Sequence, residues 1–323
     1  HRLSNCTINP FLETTGALWY KTLVELLDGK QIAQTVRKRI QEEVRQLKAL
    51  GILPGLAVIL VGEDPASVSY VTGKEKACSE MGIRSFDHRL PASTTPETLF
   101  QLIQRLNEDP EVDGILLQLP LPKGLPERQL LNHIDPEKDV DGFHPLNLGK
   151  LLWGEETFLP CTPHGILKIL ELSGVDPAGK HAVILGRSIT VGRPLANLLS
   201  RKGRGGNATV TLCHTGTPDF SLYTRQADIL VAAVGSPGLV RGEMVKEGAV
   251  VIDVGVNRVA DPSKKSGYRL VGDVDFESVA PRASKITPVP GGVGPMTITM
   301  LVYNTVWAAK KRAGRGFKSS QCL

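Results

Sequence analysis

The chain has 323 residues, of which 41% are hydrophobic and 22% charged, with 33 Gly, 22 Pro and a formal net charge of +5. That length suits two globular domains, each able to bury a core, and the modest charge carries no basic block long enough for a nucleic-acid arm. No apolar run approaches the ~18 residues of a membrane span, and five scattered cysteines without CxxC spacing argue for reduced thiols and against a disulfide framework or a zinc site.

Residues 1–22 open on His1 rather than Met, carry little charge and no signal-peptide core, and are set aside as a processed, truncated or engineered end. After Asp28-Gly29, Ile32, Val36, Ile40, Val44 and Leu47 recur at helical spacing and predict an amphipathic helix ending near Gly51. The clusters Arg37-Lys38-Arg39 and Lys310-Lys311-Arg312 fall in helical patterns and read as solvated faces. The unbroken apolar run 56–61, the turn Gly62-Glu63-Asp64-Pro65 and a helix-compatible stretch closed by Gly82 predict a buried strand feeding a helix, half of a βαβ unit. Tyr70 and Lys74, four apart, share one face of that helix. Ligands of open parallel sheets lie beyond the carboxyl ends of strands, where such a helix begins, so Lys74 can reach a crevice; a solvated lysine beside a half-buried tyrosine is the alternative.

A second strand is predicted over 83–90, and Thr95-Pro96-Glu97 opens a helix carrying Leu99, Leu102, Ile103 and Leu106. The run 115–119 is too apolar to face water, yet it carries Gln118 at the carboxyl end of its strand. A buried amide needs partners in backbone, water or something bound. A short helix around Leu130 leads to Lys138-Asp139-Val140-Asp141-Gly142, where a carboxylate either caps a helix or accepts hydrogen bonds from a ligand.

Cys161-Thr162-Pro163 precedes a helix read as the connector between domains. The strand 182–185 then runs into Gly186-Arg187-Ser188 and on through Val191-Gly192-Arg193-Pro194 to a helix with Leu195, Leu198 and Leu199. Strand, glycine turn and helix in that order is the context of a dinucleotide site, since free N–H groups and the helix amino terminus attract a pyrophosphate. Arg187 is placed to neutralise a 2′-phosphate, and the next strand, 208–215, ends in His214 and Thr215 with no acid to read a ribose, which favours NADP over NAD. Two more strands end in Gly235 and at Gly255-Val256-Asn257, making four strands of a Rossmann domain. Residues 286–297 form a Gly- and Pro-rich loop whose backbone can approach a ligand closely. A last helix over 297–311, with Ile298, Leu301, Val302 and Val306 on one face, is expected to pack back on the first domain.

The ordered blocks Tyr70-x-x-x-Lys74, Gln118-Leu119-Pro120-Leu121-Pro122, Lys138-Asp139-Val140-Asp141-Gly142, Gly186-Arg187-Ser188-x-x-Val191-Gly192-x-Pro194 and Pro288-Val289-Pro290-Gly291-Gly292-Val293-Gly294-Pro295-Met296-Thr297 resemble the methylenetetrahydrofolate dehydrogenase/cyclohydrolase family, from about residue 26 to 312. The resemblance implies an α/β fold of two domains with the active site in the cleft between them: a folate-binding domain over 23–160, a Rossmann domain over 161–294, a carboxyl-terminal helix over 295–313 returning to the first, and a tail over 314–323. It implies oxidation of 5,10-methylenetetrahydrofolate with NADP, hydrolysis of the methenyl product to 10-formyltetrahydrofolate, and a homodimer with no nucleic-acid or membrane partner. By position, Lys74 is the catalytic lysine, with Tyr70, Gln118 and Asp141 beside it and Asp141 on the pterin. Val71, Thr72, Gly73, Leu117, Leu119, Pro290, Gly291, Gly292, Val293 and Gly294 complete the folate contacts, and Gly186, Arg187, Ser188, Thr215 and Val256 contact the dinucleotide. Many NADP-using relatives have Ser where this chain has Thr215, so NAD remains an alternative cofactor. An NAD-preferring dehydrogenase with weak cyclohydrolase and a silent nucleotide- or folate-binding module stand as alternative functions. The compartment expected is the cytoplasm, or an organelle matrix if the first residues are a remnant of a transit peptide.

Overall fold

The computed structural model describes residues 24–264 and 267–314. The two tails, with Cys6 and Cys322, lie outside the described residues except for Gly314. A two-residue strand, β1 (Glu25–Leu26), precedes α1 (Gly29–Ala49), whose amino end is capped by Asp28 accepting from the N–H groups of Lys30 and Gln31. The expected stripe of Val36, Ile40, Val44 and Leu47 is buried.

β2 (Gly55–Val61), α2 (Pro65–Met81), β3 (Arg84–Leu90), α3 (Pro96–Glu108) and β4 (Gly114–Leu117) follow, and the strands form a parallel sheet ordered β3-β2-β4. β2 is central and covered on both faces, which is why its residues are apolar without alternation. Asp64 accepts from Ser67 N at 2.8 Å and Pro65 occupies the first helical turn, so α2 starts directly beyond the carboxyl end of β2. Gly82, at φ 69°, closes it in the left-handed conformation that favours glycine. Then come α4 (Glu127–His133), α5 (Pro145–Trp153) and α6 (Cys161–Leu172). Sequence patterning did not indicate α5.

The second unit runs β5 (His181–Leu185), α7 (Gly192–Ser200), β6 (Thr209–Cys213), α8 (Ser221–Thr224), β7 (Ile229–Ala232), β8 (Val250–Asp253), an antiparallel hairpin of β9 (Asn257–Ala260) and β10 (Tyr268–Val271), α9 (Phe276–Val279) and β11 (Lys285–Ile286). Its parallel sheet has six strands, not the four expected, in the order β1-β11-β8-β7-β5-β6. The extra two, β1 and β11, have two residues each and pair in parallel, and Leu27, just past β1, donates its N–H to Ile286 O at 2.8 Å.

The last helix, α10 (Val293–Arg312), starts four residues before the expected position. It is buried on all sides from Thr299 to Ala309, packed on α1, α2 and α6 rather than along one apolar stripe. Its terminal cations are not a solvated face: Lys310 pairs with Glu43 at 3.1 Å, Lys311 with Glu137 at 2.5 Å, and Arg312 Nε donates to buried Asp113 at 2.6 Å. Arg37 is likewise engaged, donating to Thr299 Oγ1 at 2.9 Å. One apolar core joins Leu56, Val58 and Leu60 of the first sheet to Ala182, Ile184 and Val231 of the second through α6 and α10. Alternate residues Ala57, Ile59 and Val61 face a separate core under α3 and α4. The shared core fixes the two sheets against each other through α6 and α10.

Candidate active site

α2 brings Tyr70 and Lys74 to one side, one turn apart. Between them Val71 is in the core, Thr72 is exposed, and Gly73 admits α10: a Cβ there would stand 3.3 Å from Ile298 Cδ1. Lys74 is 6% exposed, yet its Nζ donates to Gln118 Oε1 at 2.9 Å. Gln118 extends the ladder of β4 by donating its N–H to Ile59 O at 2.9 Å, and its Nε2 donates to Leu119 O at 2.6 Å. The amide nitrogen is thereby spent on backbone, which leaves the amide oxygen turned to the lysine. Leu117 is buried in the outer core and Leu119 packs against it; both hold Gln118 in place.

The two carboxylates of the 138–142 segment have different surroundings. Ile115 N donates to Lys138 O at 2.8 Å, so the segment runs beside β4. Asp139 is buried and accepts from Phe143 N at 3.2 Å, His144 N at 2.8 Å and Asn147 Nδ2 at 2.8 Å, fixing the start of α5; burial raises its pKa to about 6. Asp141 emerges on the other side beside the Cys161 thiol at the start of α6. Gly142, at φ 78°, lets the chain pass where a Cβ would lie 2.6 Å from Pro160 N.

Lys74 and Asp141 act on each other across the site without a direct ion pair. Burial lowers the lysine pKa from its ordinary 10.5, and the Asp141 charge opposes that shift. Burial raises the Asp141 pKa, opposed by the Lys74 charge. The same burial, with Asp141 nearby, pushes the Cys161 thiol well above its ordinary value, and the Tyr70 hydroxyl is raised by burial. The arrangement can therefore offer a neutral amine, held by an amide oxygen, beside an acceptor carboxylate.

Tyr70 also lines a cavity of about 360 Å³ shared with Val256, Pro290, Gly291, Gly292, Val293 and Gly294. A Cβ at Gly294 would meet nothing within 4 Å, so backbone there faces open space, and the uncapped amino terminus of α10 points at it. Lys30, Arg37 and Asp253 share the wall and were missed in sequence; only Asp253, ending a strand two residues before Gly255, carried a signal. A larger hollow of about 500 Å³ around Lys180, Lys246 and Lys285 lies at the opposite, amino-terminal edge of the six-stranded sheet and contains none of the expected residues.

The glycine turn stands at the carboxyl end of β5. Gly186 has φ 111°, and a Cβ would fall 2.1 Å from Ala233 O; one at Gly192 would fall 2.0 Å from Gly186 O. Such close backbone packing admits no side chain, as a pyrophosphate cradle requires. Ser188 Oγ accepts from Val191 N at 3.1 Å and Gly192 N at 3.4 Å, so this hydroxyl occupies amides that sequence alone left free. Leu185 pairs with Cys213, which makes Arg187 and Thr215 leave neighbouring strands at the same level, both exposed. Arg187 has no ion-pair partner among the described residues.

Residues 27–141 match the model of the tetrahydrofolate dehydrogenase/cyclohydrolase catalytic domain, and residues 160–313 match that of its NAD(P)-binding domain. The "Bifunctional protein FolD" of Moorella thermoacetica is 56% identical over 287 residues, 89% of this chain and 99% of that protein. A crystal structure of the bifunctional FolD methylenetetrahydrofolate dehydrogenase/cyclohydrolase from Campylobacter jejuni is 51% identical with a TM-score of 0.84, covering 90% of this chain and 99% of that one. The Trypanosoma brucei enzyme, complexed with NADP cofactor and inhibitor, is 44% identical with a TM-score of 0.86 over 91% and 99% of the two chains. With both domain models matched in order and the lysine, amide and carboxylate blocks in place, this chain belongs to the tetrahydrofolate dehydrogenase/cyclohydrolase family.

Proposed function

We propose that this chain oxidises 5,10-methylenetetrahydrofolate with NADP and hydrolyses the methenyl product to 10-formyltetrahydrofolate, with Lys74 as the proton carrier of the second step. The observation that carries the reading is the buried Lys74 amine held 2.9 Å from Gln118 Oε1 with Asp141 close by, an arrangement a silent binding module has no use for. The residues around Gly186 fit the dinucleotide: a close-packed glycine turn, an exposed guanidinium without an ion pair, and no acid at the end of β6. NADP, when bound, supplies the hydride acceptor. Tyr70 packs over the folate, Asp141 accepts from the amide and amino edge of the pterin, and residues 290–294 wall the folate with backbone. In this reading residues 23–160 with the last helix form the folate half and residues 161–294 the cofactor half, in a cytoplasmic homodimer whose assembly sedimentation would report.

Two absorbance assays test it: NADPH formation from methylenetetrahydrofolate, and loss of methenyltetrahydrofolate without cofactor. Turnover is expected in both, and its absence from either removes that activity. The NAD-preferring alternative predicts faster turnover with NAD in the first.

Arg187→Ala should raise the KM for NADP by roughly tenfold or more, the cost of losing a charge-assisted contact to a phosphate, and that for NAD far less. Equal effects on both cofactors would remove Arg187 from the 2′-phosphate.

The cyclohydrolase should also depend on pH through Lys74. The neutral amine is the active form, so kcat rises with pH through a pKa below the ordinary lysine value of 10.5. Asp141 opposes the lowering, so in Asp141→Asn at saturating folate the rising limb moves to still lower pH. A limb that moves upward contradicts the assignment.

A further inference from the structure

Asp273 is completely buried, lies outside the site described above, and makes four hydrogen bonds with its side chain. Oδ2 accepts from Val234 N at 2.7 Å and Gly235 N at 2.9 Å; Oδ1 accepts from Ser236 N at 2.9 Å and Asn257 Nδ2 at 2.9 Å. Three successive amides converging on one anion form the concave nest that elsewhere holds a phosphate. Here the protein's own carboxylate fills it.

The groups it gathers belong to two loops. Residues 233–236 are the turn leaving β7, and Asn257 follows Val256 beyond β8. A Cβ at Gly186 would strike Ala233 O at 2.1 Å, so the turn held by Asp273 is pressed against the glycine turn assigned to the dinucleotide. Strand order places the ligand along it: with Thr215 and the ribose phosphate beyond β6 and the glycine turn beyond β5, the ends of β7 and β8 lie on the opposite side, next to the cavity walled by Val256 and residues 290–294. Asp253, in that cavity wall, completes the support by accepting from Asp273 N at 2.9 Å, Val274 N at 3.0 Å and Gly255 N at 2.9 Å. Both following turns need glycine: a Cβ at Gly255 would lie 2.3 Å from Asp273 Oδ1, and one at Gly272 would lie 1.7 Å from Asp253 Oδ2.

We propose that Asp273 is the positioning residue of the nicotinamide side of the cofactor groove, locking the 234–236 turn and Asn257, and through Asn257 its neighbour Val256, into the shape that receives the ring. The proposal rests on the NADP reading above. It adds a residue that need not touch the cofactor and acts through backbone.

Asp273→Asn keeps the shape but turns an NH2 donor toward donors. The expected result is a rise of about tenfold or more in KM and Kd for NADP, the size of at least one unmade hydrogen bond. The dehydrogenase kcat at saturating NADP also falls, because a ring that is bound but misplaced transfers hydride more slowly. Methenyltetrahydrofolate hydrolysis, assayed without cofactor, stays close to wild type. An unchanged KM and Kd for NADP overturns the proposal, and so does a proportional fall of both activities, which would mark a purely structural carboxylate. Should Asp273→Asn not fold, Asn257→Ala decides: it removes one donor of the same cluster and should raise KM for NADP severalfold, and no rise overturns the proposal. Failure of the NADP reading itself would appear separately, as wild-type protein that makes no NADPH.

Discussion

Lys74→Met should lower methenyltetrahydrofolate hydrolysis by at least 10²-fold, and up to about 10⁴-fold, while leaving measurable oxidation of methylenetetrahydrofolate. Methionine is close to lysine in length and suits a site that is 6% exposed, so the packing around α2 survives while the proton carrier is lost. The oxidation needs no protein base: hydride leaves the methylene carbon with its electron pair, driven by the neighbouring nitrogen. The hydrolysis does need one, because a proton must leave the attacking water and another must reach the departing nitrogen. Burial favours the neutral amine that accepts the first proton, and the Asp141 charge favours the ammonium that results. Gln118 keeps the amine aimed, since its own nitrogen is tied to Leu119 O and only its oxygen is free to hold Nζ. Hydrolysis at the wild-type rate in this variant would return Lys74 to a structural role.

Asp141→Ala is the second large effect, and it should fall on both reactions. A carboxylate that accepts two hydrogen bonds from one edge of the pterin loses both on truncation, weakening folate binding by about 10²-fold at the usual strength of charged hydrogen bonds. NADP affinity should be unchanged, because the glycine turn and Arg187 leave β5 in the other sheet. The fold should survive, since the carboxylate that fixes α5 is Asp139, with its three hydrogen bonds, and not Asp141. Isothermal titration with a non-reacting folate measures the loss; normal affinity would make Asp141 a turn residue.

The contrast between Asp139 and Asp141 shows where sequence stops being sufficient. Two acids around one valine announce a site, but which of them turns inward to hold the segment entering α5 depends on Asn147 and Thr157 farther along the chain, and only folding brings those together. By comparison, α2 was legible throughout: Asp64, Pro65 and Gly82 mark its ends, and the four-residue spacing puts Tyr70 and Lys74 on one face. Gln118 was legible because a lone amide in an apolar strand demands a partner, although its being Lys74 required the structure. β1 and β11 have two residues each and thus no period to detect, which hid a third of the second sheet's strands. α10 was legible as a helix returning to the first domain, but not in its depth: it is buried on every side and not along one stripe alone, and the cations at its end read as solvated because Glu43, Asp113 and Glu137 lie far away in sequence. Asp273 and Asp253 stand 20 residues apart with no motif joining them; their contact appears only when β8 and the hairpin after it are folded together.

One measurement bears most directly on two chemistries sharing a cleft divided by Lys74. Wild-type protein and Lys74→Met, each mixed rapidly with methylenetetrahydrofolate and NADP, are followed at the separate absorbances of NADPH and the methenyl product. Wild type should form NADPH with little methenyl intermediate, ending in 10-formyltetrahydrofolate, whereas Lys74→Met should accumulate methenyl product in step with NADPH. Methenyl product that disappears as fast in the variant as in the wild type would contradict the assignment of Lys74, and wild-type protein that forms no NADPH would contradict the function itself.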